Sequence, residues 1–141
     1  MPLDPPNVLL RKALDDEHLA LLVVGNPTVP DEQIGFLAQQ AVEKAIKAVL
    51  SHRAIMYRRT HDLAELIDLL GANAMPYPAC LDQSVALTPF AAEMRYDYLP
   101  PEQVAERSLD RPGVMRLVRA VLAWAAGTVS PTDTSSPSSA R

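Results

Sequence analysis

Residues 31–71 read DEQIGFLAQQAVEKAIKAVLSHRAIMYRRTHDLAELIDLLG, and this stretch decides the fold. Ile34, Leu37, Ala41, Ala45 and Ala48 recur at steps of three and four, the spacing of one face of an α-helix. Val42, Ile46, Val49 and Leu50 lay a second apolar row beside them, an arc wide enough for a helix packed against more than one neighbour. The polar remainder is a narrow strip of Gln40, Lys44, Lys47 and Ser51. Asp31 follows Pro30 and is expected to cap this helix, with Glu32 adding negative charge where the helix dipole favours it. Glu43 and Lys47 make a favourable i,i+4 pair. After a connector over 54–59, Thr60 is expected to cap a second helix with Leu63, Leu66, Ile67 and Leu70 as its core face. Gly71 is expected to end it. Two antiparallel helices joined by a short loop follow.

Working outward, a helix is predicted over about 7–24, with Leu10, Ala13, Leu14, Leu21 and Leu22 as its apolar stripe and His18 on or beside it. Gly25-Asn26-Pro27 stops it. On the other side, 72–80 is a loop with Pro76 and Pro78. A fourth helix spans roughly 81–96, with Leu87, Phe90, Ala91 and Met94 on one face, and Thr88-Pro89 restarts it after a kink. Leu99-Pro100-Pro101 breaks the chain, with a short helical turn at 101–108. The last helix begins near Pro112 behind an Asp110 cap. Val114, Leu117, Val118, Val121 and Ala125 form its core face, Arg111, Arg116 and Arg119 stay on the wet side, and Gly127 closes it. From Thr128 the composition turns to Ser, Thr and Pro, so 128–141 is expected to be a disordered tail. No segment shows the strict alternation of a strand. The expected fold is all-α, an antiparallel up-and-down bundle of about five helices over 1–127.

A chain of 141 residues, 48% hydrophobic and 21% charged, allows one domain with a proper core. A net charge of −4 argues against general coating of nucleic acid and leaves room for a local basic patch. No apolar run reaches the length of about 18 residues that a membrane span needs. The start MPLDPPN has no basic, apolar leader, so no signal peptide is expected. The single Cys80 excludes an internal disulfide, fits a reducing cytoplasm and has no CxxC partner for zinc. His18, His52 and His61 show no i,i+4 pairing, and Gly-rich phosphate loops, GxSxG and HExxH are all missing. Neither a metal nor a cofactor is expected.

The strongest functional candidates are basic. Lys44, Lys47, Arg53, Arg58 and Arg59 put five fixed positive charges within 16 residues, and His61 follows. Arg grips a phosphate with two parallel hydrogen bonds and Lys adds a point charge. The N–H groups at the start of the helix opened by Thr60 would add an anion site. Asp62 and Glu65 partly neutralise that end, and a solvated face is the plainer alternative. His61 is expected at the first helical position, where the dipole disfavours its protonated form; it is read either as an acid/base or as a tie between loop and bundle. Gln40 faces the Lys row and is a weaker candidate for a base or ribose contact. Arg95 is a phosphate ligand if it packs near the Lys row, with Tyr96 a stacking surface; otherwise Arg95 complements the C-terminal end of its own helix.

QQAVEKAIKAVL followed by THDLAELIDLL resembles the HEPN domain family (higher eukaryotes and prokaryotes nucleotide-binding), and Phe90-Ala91-Ala92-Glu93-Met94-Arg95-Tyr96 is similar to that family's later helix end. The resemblance covers roughly residues 5–127. It implies a helical bundle that is often dimeric, with nucleotide- or RNA-related roles. It also implies a tie between His61 and the bundle. Catalytic members cleave RNA without a metal, using an Arg and a His with four to six residues between them on a later helix. Here the one nominal match is Arg11 to His18, on the first helix, and no His follows Arg95. The resemblance therefore points to the non-catalytic branch, whose members are partners of minimal nucleotidyltransferases in toxin–antitoxin-like modules. The expected protein is a cytoplasmic homodimer that binds nucleotide or an RNA end through Lys44, Lys47, Arg58, Arg59, His61 and Arg95. Two alternatives stay open. One is a metal-independent RNase using His61 or His18 with a diverged site. The other is a structural interaction module with an apolar face of the first or last helix uncovered.

Overall fold

The computed structural model describes residues 3–95 and 109–129, with the side chains of 92–95 left aside. The order is α1 (Pro6–Val23), α2 (Asp31–His52), α3 (Leu63–Ala72), the short α4 (Cys80–Gln83), a 3-10 turn (Ser84–Leu87), α5 (Thr88–Arg95) and α6 (Arg111–Val129). The described residues contain helices and no strand, so the fold is the expected all-α bundle. Five of its helices have eight or more residues.

The wide apolar arc of α2 places this helix at the centre. Ile34, Ala38, Ala41, Val42, Ala45, Ile46, Ala48, Val49 and Leu50 are all buried, and α1, α3, α5 and α6 pack around them. Gly35 lets α5 come close, because a Cβ there would overlap the Phe90 ring. The α6 face carries Met115, Val118, Val121, Leu122 and Ala125 into the core, and Asp110 caps it through the Gly113 N–H at 3.1 Å.

Several local expectations are corrected. Asp31 is the first residue of α2 and not its cap; its carboxylate accepts from Arg111 Nε (2.7 Å) and the Leu109 N–H (3.1 Å). Arg111 accordingly leaves the wet side. Its guanidinium also donates to the carbonyls of Val24, Asn26 and Val29, fastening the α1–α2 loop. Asp62, not Thr60, caps α3. Gly71 does not end α3. The helix runs on to Ala72 and closes with Ala74 at φ 56°, the Met75 N–H reaching Leu70 O and the Ala74 N–H reaching Gly71 O. The end of α2 repeats the device with Ala54 at φ 58° and the Ile55 N–H on Leu50 O. Gly127 lies inside α6, which continues to Val129, so the tail cannot begin at 128; residues 130–141 lie outside the described residues. The single fourth helix is three pieces, 80–83, 84–87 and 88–95, with the restart at Thr88 as read. On α1, Leu9 and Ala20 join Leu10 and Ala13 in the core, whereas Leu14, Leu21 and Leu22 face solvent. The turn expected at 101–108 lies outside the described residues.

Candidate functional site

The polar strip of α2 is organised by Glu43, which residue spacing offers only as a partner for Lys47. Glu43 is buried, at 4% exposure, and its two oxygens take three side-chain donors. Oε1 accepts from Gln39 Nε2 (2.9 Å) and from His61 Nδ1 (2.9 Å), and Oε2 accepts from Lys47 Nζ (2.8 Å). Gln39 lies one turn before Glu43 and Lys47 one turn after, so all three project from one ridge of the helix. Burial pushes the Glu43 carboxyl up, and the hydrogen bonds from Lys47, Gln39 and His61 outweigh it, so the group rests below the usual carboxylate range. Ionised, Glu43 can only accept, which makes His61 Nδ1 the donor.

Gln39 is wholly buried. Its amide also donates to the His61 backbone carbonyl (3.1 Å) and accepts from Gln40 Nε2 (2.7 Å). His61 is thus held to α2 by side chain and backbone together, with its ring 45% exposed. Lys47 is nearly buried and sits over the Tyr57 ring, 5.6 Å from its centre. Lys44, one position beyond Glu43, is paired to Asp16 of α1 at 2.7 Å.

The remaining predicted residues are placed as follows. Arg58 is exposed and forks onto Glu65, with Nε–Oε2 at 2.7 Å and Nη2–Oε1 at 2.8 Å, so it turns to its own junction. Arg59 is exposed. His61 precedes the first helical position by two residues, so the dipole argument does not apply to it. The anion site expected at that helix start is filled by the chain's own oxygens: the Leu63 N–H goes to Thr88 Oγ1 (3.2 Å), the Ala64 N–H to Asp62 Oδ1 (3.0 Å) and the Asp62 N–H to Thr60 Oγ1 (3.0 Å). Arg95 ends α5, and Tyr96 lies outside the described residues. Arg11 and His18 are both exposed on α1. Among the described residues no group of three or more His, Cys, Asp or Glu could hold a metal ion, and no helix is long and apolar enough to cross a membrane.

Sequence reasoning missed Gln39 and the burial of Glu43. A signal was present: Gln39, Glu43 and Lys47 are spaced by four between two apolar rows, on a helix with little surface left to expose.

The chain is thus a small all-α bundle in which a buried carboxylate ties a pre-helical histidine to the central helix. A family model, the HEPN domain, matches residues 8–128, and the chain belongs to this family. In fold it is similar to the crystal structure of an archaeal HEPN homologue, with a TM-score of 0.66 and 23% identity over 90% of this chain and 99% of that one. No curated protein sequence matches the chain.

Proposed function

We propose that this HEPN-domain protein is a non-catalytic module that binds a nucleotide or an RNA end in the cytoplasm and acts with a nucleotidyltransferase-type partner, in a toxin–antitoxin-like pair. Family membership supports a nucleotide- or RNA-related role in general. The observation that supports a binding site here is the hub of Glu43, which with Gln39 ties the His61 ring and carbonyl to α2, next to the strip that carries Lys44. A charge buried in a bundle costs several kcal/mol unless fully paired. A site that must hold its geometry is where such a network is useful. Lys44–Asp16 and Arg58–Glu65 are partly exposed pairs, weak enough to be exchanged for a phosphate.

The test is the melting temperature of the protein against a panel of nucleotides and short RNA ends. A ligand at a hundred times its Kd stabilises by about 2.7 kcal/mol. The informative variant is Lys44→Ala with Arg59→Ala, which leaves the hub intact; Lys47 is unsuitable because its loss orphans Glu43. A shift present in the parent and absent from the double variant supports the reading. No shift with any ligand ends it.

A second reading has its own observation. An ionised carboxylate on Nδ1 of a half-exposed histidine is how a general base is oriented. Cleavage of RNA that persists in EDTA and vanishes in His61→Ala would make the protein a nuclease. No turnover over varied RNAs would set this aside.

A further inference from the structure

Between the start of α6 and the three helical pieces over 80–95 lies a cleft of about 690 Å³. Its walls are mostly apolar, with Leu87 and Phe90 on one side, Val114 and Leu117 on the other, and Cys80 among them. The packing of α6 leaves this space. The helix turns Val118, Val121 and Leu122 toward α1 and α2, while Gly35 draws Phe90 in against α2. Val114 and Leu117, read from the sequence as core, stay half-buried as a result. A volume of this size falls within the roughly 300–1,000 Å³ of small-molecule sites, which are largely apolar with a few placed polar groups. No residue of the Glu43 hub lines it.

The polar groups of the cleft are few and unequal. Asp110 is committed: its carboxylate lies over Gly113 and accepts that residue's N–H at 3.1 Å. Arg116 and Gln83 both line the cleft and both are exposed. Neither has a hydrogen-bond or ion-pair partner among the described residues. The α6 side thus offers a positive charge with no partner, and the α4 side an amide able to donate. We infer that the cleft binds a small organic acid, its apolar body lying on Leu87, Phe90, Val114 and Leu117 and its carboxylate held by Arg116 and Gln83. A carboxylate can take two parallel N–H bonds from a guanidinium and a third from an amide. An amine would be repelled by Arg116. A nucleotide carries more negative charge than one arginine matches, and the walls here are mainly aliphatic.

Cys80 makes the cleft readable, because it is the chain's single thiol. The test is the rate at which a soluble disulfide reagent labels the full chain, with decanoate added below its micellar concentration. Decanoate should slow labelling in a saturable way and raise the melting temperature, whereas decylamine at the same concentrations should do neither. Arg116→Gln should weaken the decanoate effect about tenfold, the loss of one charged hydrogen-bonding partner. Ala86→Trp sets an indole into the cleft from the 3-10 turn and should abolish the decanoate shift in melting temperature. Both positions are exposed, and the melting temperature without ligand reports whether either variant disturbs the fold. No response to decanoate in either reading overturns the proposal and leaves the cleft to a larger partner. An equal response to decylamine overturns it by reducing the cleft to a general apolar surface. Decanoate binding unchanged in Arg116→Gln or in Ala86→Trp places the acid elsewhere and overturns it as well.

Discussion

Glu43 holds a full negative charge where an alanine or leucine would pack without cost. It is tolerated because Gln39, His61 and Lys47 occupy its lone pairs. Removing one partner of a buried pair costs more than never having had it, because the other charge stays behind. Glu43→Ala strands the nearly buried Lys47 ammonium and should cost about 3 kcal/mol, read from the urea midpoint. Glu43→Gln keeps the shape, loses the charge and should cost less. The pH dependence has a definite sign. The folded carboxyl lies below its unfolded value, about 4.3. The stability it contributes is therefore fully present above that value and lost as pH falls through the folded one. Melting curves of the parent and Glu43→Gln should converge as the pH is lowered through this window; parallel curves would show that the charge contributes nothing.

At the level of elements, the helix ends hold the largest departures from what the sequence suggests. Gly71 and Gly127 look like stops, yet both lie inside helices, and nothing stands within 4 Å of a Cβ placed on either. Gly71→Ala should stabilise by about 0.5–1 kcal/mol. Gly35→Ala should destabilise by about 1–3 kcal/mol, since the methyl would drive into Phe90. Thermal melts of the two side by side make the comparison. The real stops fall on Ala54 and Ala74 because helices α2 and α3 run until Ile55 and Met75 can fold back onto Leu50 and Leu70, and a left-handed alanine is accepted for that contact. Residue type cannot announce such a stop when the helix end is chosen by packing. The core of α2 was legible because its periodicity survives burial on every side. The stripe of α1 was misjudged for a related reason: its leucines cover two faces, and only one of them meets the bundle. The site was legible in its charges and illegible in its pairing, since Asp16 lies 28 residues from Lys44 and no spacing rule joins them.

Across the whole molecule, the contact between Asp31 and Arg111 joins positions 80 residues apart and binds the start of α2 to the start of α6. With the carbonyls of Val24, Asn26 and Val29 it forms a receptor for one side chain, made entirely by the amino-terminal part of the chain. The rest of α6 then inserts Val118, Val121, Leu122 and Ala125 into a groove lined by α1 and α2. What keeps α6 in place is therefore non-covalent. Two polypeptides, 1–100 and 101–141, produced together should copurify and give a helical complex. Arg111→Ala in the shorter piece should weaken their association. In effect the last helix is a plug with its own key, and the protein could be delivered in halves.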